Sequence, residues 1–243
     1  MKAFGSEYAL RPGWTRLQSL YIRIFGIVDL PTRIRARYVL RALKTLTCDT
    51  VLDLGAGTGV YSLFLTRNPR CKVLAIDIDS GRAESIRHQA RCLRRSNLEV
   101  LCSSEDGLET LPSGSFSLVL TVEVLPYFAD LNRVLLNLKN CLLPGGTLVA
   151  HIPFRDGLWP YEHNLFDEQF LRTEFMKAGF ESPDIRRTFG AGSQLICNIF
   201  SGLVERPLLL ALVYPALLCI ANLLSGFSTQ GTCCLLITRR PLG

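Results

Sequence analysis

The run Val51-Leu52-Asp53-Leu54-Gly55-Ala56-Gly57-Thr58-Gly59 constrains this chain more than any other stretch. Its apolar half reads as a strand buried on both faces, and it passes directly into glycines at every second position and then into a helical pattern over 59–66. Glycines remove Cβ atoms where a ligand must touch backbone, and a helix N-terminus offers unpaired N–H groups to a negative group. A dinucleotide fingerprint would place its third glycine at position 60, where this chain has Val60. The G-x-G-x-G spacing therefore argues against NAD.

The remaining chain keeps a strand–helix rhythm. Strands rich in Val, Leu and Ile are predicted at 50–54, 72–78, 98–102, 116–122 and 146–152, with helices at 81–95, 130–142 and 167–178 between or after them. Two further strands are predicted near 184–189 and 232–238. Alternation of this kind needs helices on both faces of a sheet. The expected fold is α/β: a doubly wound, mostly parallel, seven-stranded Rossmann-like sheet, and 243 residues suit one such domain with additions.

With Asp53 ahead of Gly55, Gly57 and Gly59, the chain resembles the class I S-adenosylmethionine-dependent methyltransferases over about residues 45–190. Gly114-Ser115-Phe116 before the fourth strand and Leu143-Pro144-Gly145-Gly146 before the fifth match that family's order of motifs, although Ser117 stands where its members usually carry Asp. The resemblance implies S-adenosylmethionine as cofactor. It implies that Asp77, eighteen residues past Gly59 at the end of a strand, grips both ribose hydroxyls, with Asp79 the second choice. It also implies an acid near the adenine amino group, either Glu105 or Asp106. The full cofactor set is then Asp53, Gly55, Ala56, Gly57, Gly59, Asp77, Ile78, Glu105, Asp106 and Thr121.

Methyl transfer from a sulfonium needs its nucleophile held in line, and a hydroxyl acceptor also needs a base. His151, near the end of the fifth strand, and His163, in the loop after it, are the candidates; the structural alternatives are a hydrogen-bonded strand-end His151 and a surface His163. Glu123 and Tyr127, after the fourth strand, sit where an acceptor should lie. No metal is expected: the nine cysteines include no C-x-x-C pair, and they read as reduced thiols of a cytoplasmic protein. No apolar stretch follows Lys2, so no secretory signal is read.

Charge is distributed unevenly. Residues 1–48 hold nine Lys and Arg against Glu7 and Asp29, a net of +7 within a total of +6. The stripe Leu17, Leu20, Tyr21, Ile24 and Val28 makes this basic arm either a helical lid over the cofactor or an amphipathic surface for anionic membrane; nucleic acid ranks below both. Residues 49–243 form the methyltransferase domain, with an apolar helical insertion at about 191–230. Within it, Pro207–Leu224 is eighteen residues without charge. A strand returning at 232–238 argues against a crossing, and Pro215 should kink the helix. The segment is expected to cap the acceptor pocket as a monotopic hairpin or helix and dip into one leaflet, with a buried helix or a dimer interface as the alternative.

These readings point to a methyltransferase of a small hydrophobic acceptor, such as a lipid, isoprenoid, quinone precursor or lipid-linked sugar. The rivals are a methyltransferase of a soluble aromatic metabolite and a non-catalytic cofactor-binding subunit. The expected location is cytoplasmic, with peripheral contact on the inner face of a membrane. The sequence does not fix an oligomeric state.

Overall fold

The computed structural model describes residues 3–11, 13–154, 166–226 and 228–242. A 3-10 turn at Ser6–Leu10 leads into α1 (Arg16–Phe25) and α2 (Leu30–Leu43). Thr15 starts α1 with a reciprocal cap: its hydroxyl accepts from the Gln18 N–H, and the Gln18 side chain accepts from the Thr15 N–H. The sheet elements then follow as β1 (Thr50–Leu54), α3 (Val60–Leu65), β2 (Lys72–Asp77), α4 (Ser80–Cys92) and β3 (Leu98–Cys102). Next come β4 (Phe116–Val122), α5 (Leu131–Cys141), β5 (Leu142–Pro153) and α6 (Glu168–Lys177). The chain closes with β6 (Asp184–Thr188), α7 (Ala191–Leu203), α8 (Pro207–Leu224) and β7 (Cys233–Arg239). Asp79, Asp130 and Asp167 each accept a backbone N–H at the start of α4, α5 and α6.

The seven strands lie in the order β3-β2-β1-β4-β5-β7-β6. Neighbours from β3 through β5 are parallel, while β7 runs antiparallel to both β5 and β6. The strand order reverses between β1 and β4, which opens a crevice at their carboxyl ends. Alternate residues feed two cores. Val51, Val73, Leu118, Leu120 and Val149 pack with α2, α3, α7 and α8, and Leu52, Leu54, Ile76, Val119 and Leu148 with α5 and α6.

β5 is longer than its apolar run suggested. It starts at Leu142 because the Gly145 N–H reaches the Arg240 carbonyl and the Arg240 N–H reaches Gly146, so the Pro-Gly-Gly segment stays hydrogen-bonded instead of leaving the sheet.

The basic arm and the apolar insertion, far apart in sequence, are packed together. α7 and α8 form an antiparallel pair inserted between β6 and β7; Gly192 at the start of α7 meets Leu224 at the end of α8 so closely that a Cβ on Gly192 would lie 3.1 Å from the leucine Cβ. Three hydroxyls then join α8 to the arm: Tyr21 donates to Ala211, Tyr214 to Ile27 and Tyr38 to Gly226, at 2.7, 2.9 and 2.8 Å. α8 runs as one helix through Pro215.

Candidate active site

The crevice at the reversal point is a cavity of about 590 Å³. Its floor is the β1–α3 loop, its walls the ends of β2 and β4, and its lining includes Gly55, Gly57, Asp77, Ile78, Glu123 and Tyr127. The loop keeps its shape through Asp77, which is buried at the end of β2: its carboxylate accepts the Gly57 N–H at 2.6 Å and the Asp79 N–H at 3.0 Å. Gly57 has φ +58, and a Cβ there would meet nothing closer than the Gly55 carbonyl at 3.9 Å. Glycine is favoured there by the left-handed backbone, and the space beside it belongs to the cavity. At Gly59 the reason is packing, since a Cβ would lie 2.7 Å from Ile86 on α4.

Asp53 lies beneath the loop, fully buried, and accepts a hydrogen bond from the Ser62 hydroxyl of α3. Burial pushes its carboxyl up to about 6, against the Ser62 hydrogen bonds that pull it down. Asp53 thus ties β1 to α3 and does not line the cavity. Asp79 is spent on the α4 cap, where it accepts the Arg82 N–H, so of the two acids only Asp77 lines the cavity. Ile78, 74% exposed, adds an apolar edge.

Other expected site residues are placed differently. Ala56 is buried in the loop, its N–H bonded to Ile76. Thr121 is fully buried within β4, paired with Leu54 and Ala150, and it is not among the residues that line the cavity. Glu105 and Asp106 open the 3-10 turn Glu105–Thr110, which follows the cavity residues Ser103 and Ser104; their side chains, like the whole of His163, lie outside the described residues.

His151 requires a correction. It is fully buried inside β5, between Val122 of β4 and Leu235 of β7, with Phe189 over its ring at 5.9 Å. One ring nitrogen, Nδ1, is 2.8 Å from the Glu123 carboxylate and the other, Nε2, is 3.0 Å from the Thr188 hydroxyl. Burial lowers its proton affinity, against the pull of Glu123. In the neutral ring, Nδ1–H then donates to Glu123 while Nε2 accepts from Thr188. No ring nitrogen is open to an acceptor, and the sheet pairing with β7 that covers His151 had no local signal in the sequence.

The residue that does reach the cavity is Glu123. Its backbone is left-handed, at φ +61, an uncommon state for a glutamate that is held by its N–H bond to the His151 carbonyl. Its carboxylate is flanked by His151 and by Arg35 of α2, whose Nε lies 3.2 Å away. The Cys233 sulfur also falls within 4.8 Å of the Glu123 and His151 donor atoms. A guanidinium on the same carboxylate oxygen repels a cation, and burial pushes the Cys233 thiol up to about 12, so the group reads as an Arg35–Glu123 ion pair hydrogen-bonded to a neutral His151.

At the reversal-point crevice of a doubly wound sheet, whose antiparallel β7 lies between β5 and β6, the chain thus carries an Asp-x-Gly-x-Gly-x-Gly loop and a strand-end acid. The chain resembles the class I S-adenosylmethionine-dependent methyltransferases in its fold and in this loop. A family profile described as a methyltransferase domain matches residues 52–150. A trans-aconitate 2-methyltransferase of Pseudomonas aeruginosa is 31% identical over 137 residues, which cover 52% of this chain and 46% of that protein. The chain thus aligns with about half the length of the curated relatives it matches.

Two solved structures share the fold at low identity. The (4+2)-cyclase SpnF has a TM-score of 0.64 at 19% identity, covering 87% of this chain and 81% of its own. Phosphoethanolamine N-methyltransferase 2 of Haemonchus contortus, in complex with S-adenosyl-L-methionine, has a TM-score of 0.64 at 13% identity, covering 94% and 61%. A cyclase among these neighbours illustrates that the fold alone does not name a reaction.

The family's cofactor is S-adenosylmethionine. The cavity fits it on its own geometry: open backbone at Gly57, a buried carboxylate with further acceptor capacity at Asp77, and an apolar edge at Ile78.

Proposed function

We propose that this chain transfers a methyl group from S-adenosylmethionine to a small acceptor with an apolar body, whose reacting polar group is placed at Glu123. The observation that carries the proposal is the fixed Glu123 carboxylate, oriented by Arg35 and His151 on the wall of the cavity that Gly57 and Asp77 also line. When bound, the cofactor supplies an electrophilic methyl on a positively charged sulfur. Asp77 would hold its ribose hydroxyls and Ile78 would pack against its ring, with Gly55 and Gly57 allowing close backbone approach.

Glu123 would take a hydrogen bond from a hydroxyl or amine, fix the direction of its lone pair and accept the proton it releases as the methyl–sulfur bond breaks; such positioning contributes roughly 7–11 kcal/mol in well-aligned intramolecular reactions. Val124, Tyr127 and Phe128 surround the same end of the cavity and favour an apolar body. An anionic acceptor such as the aconitate of the named relatives would meet the Glu123 carboxylate, which disfavours it here.

The test is release of S-adenosylhomocysteine from S-adenosylmethionine with a panel of prenyl alcohols, quinols, phenols and amines, and with trans-aconitate. Turnover on an apolar hydroxyl or amine compound that falls at least a hundredfold in Glu123→Gln supports the reading. Turnover on trans-aconitate, or cofactor binding without turnover on any of the panel, would overturn it, the latter in favour of a non-catalytic cofactor-binding subunit.

A further inference from the structure

A globular protein scatters its exposed aliphatic side chains; this one gathers them. Among the described residues, twelve large hydrophobic side chains are more than half exposed, and eight of them lie on α1 or on the α7–α8 pair. On α1 they are Leu17, Leu20 and Ile24, spaced three and four apart on one side of the helix. On α8, Leu208, Leu212 and Leu223 are 88%, 79% and 85% exposed, while only a narrow stripe through Leu210, Tyr214, Leu217 and Ala221 is buried against the protein. The Tyr21–Ala211 hydrogen bond holds α1 against α8.

Charge on these helices has one dominant sign. α1 exposes Arg16 and Arg23 and contains no acid, and across 191–226 the only charged residues are Glu205 and Arg206, in the turn between α7 and α8. The eight exposed residues are all Leu, Ile or Val. Protein partners are usually anchored by aromatic residues fitted into shaped pockets, whereas acyl chains accept any aliphatic surface. α8 is long and apolar enough to cross a bilayer, but both ends of the α7–α8 pair return to adjacent strands of one sheet, so it does not cross alone.

We infer that α1, α7 and α8 form a membrane-docking face that lies in the interface of an anionic leaflet, with the leucines among the acyl chains and Arg16, Arg23 and Arg206 at the headgroups. The inference does not depend on the acceptor: a docked enzyme with a soluble substrate would bind lipid equally well. Nor does it need the cofactor site.

Flotation of the full chain with vesicles tests it. At low salt, the protein should rise with vesicles of three parts phosphatidylcholine to one part phosphatidylglycerol, at least fivefold more than with phosphatidylcholine alone, and 0.5 M salt should release part of it. The double variant L212E/L223E should remain at the bottom with an unchanged melting temperature and S-adenosylhomocysteine affinity. R16E/R23E should lose the preference for anionic vesicles. Parent protein that stays at the bottom with anionic vesicles overturns the inference. A parent dimer that L212E/L223E converts to monomer, without any vesicle binding, overturns it in favour of a second copy of this chain.

Discussion

The Tyr21 hydroxyl donates a 2.7 Å hydrogen bond to the Ala211 carbonyl, the helix oxygen that Pro215, four residues on, has no N–H to satisfy. α8 therefore keeps its proline, and the freed acceptor becomes the point at which α1 docks. Removing the hydroxyl in Tyr21→Phe leaves a half-buried carbonyl without that donor and should cost about 1–2 kcal/mol in urea unfolding. Pro215→Ala supplies the missing N–H, so Tyr21→Phe should cost much less in that background. Equal costs in both backgrounds would show that the two residues are not coupled.

The last two glycines of the cofactor loop should fail in different ways. Gly59→Ala forces a Cβ to 2.7 Å from the fully buried Ile86 at φ +75 and should destabilise the protein by roughly 2–4 kcal/mol. Gly57→Ala bears only the left-handed backbone cost, about 1–2 kcal/mol, because nothing lies near its Cβ. It should instead weaken S-adenosylhomocysteine at least tenfold by calorimetric titration. Intact cofactor binding in Gly57→Ala would move the cofactor away from this loop.

How much of this was legible depended on whether the signal was contiguous. β1, β3 and β4 occupy the positions read from their Val, Leu and Ile runs, and the loop from Asp53 to Gly59 carries its own turn chemistry in adjacent residues. Arg35, Glu123, His151 and Thr188 come from α2, the end of β4, β5 and β6, and no periodicity relates them. Of the two readings of His151, candidate base or hydrogen-bonded strand-end residue, the structure supports the second, and the sequence alone does not separate them because it does not show that β7 inserts beside β5 and covers the ring. The acid after the Val-rich fourth strand was the one local hint of this site.

Asp77 is both a loop tie and the acid proposed for the ribose. Asp77→Asn keeps one acceptor but sets its amide N–H₂ against either the Gly57 or the Asp79 N–H. The loss should be about 1–3 kcal/mol of ligand-free stability, together with a tenfold or greater fall in S-adenosylhomocysteine affinity. Unchanged affinity with reduced stability would leave Asp77 as a loop tie alone.

Two buried ionisable groups should bend the pH dependence of stability in opposite directions. Burial holds His151 neutral in the folded state, whereas the unfolded residue takes up a proton below about 6.5; stability from this source is therefore lost as pH falls below that value. Burial lifts Asp53 from 3.8 to about 6, so the folded protein holds a proton in that window that the unfolded chain has released. Its contribution is complete below 3.8 and disappears as pH rises through about 6, a loss of roughly 2–3 kcal/mol at neutral pH. Asp53→Asn should accordingly be more stable relative to the parent at pH 7 than at pH 4, and His151→Gln should flatten the acid limb just below pH 6.5. Urea melts at half-unit pH steps separate the two, since one slope must steepen toward acid when the other is removed. A parent curve whose shape neither variant changes would show that neither group titrates differently on folding.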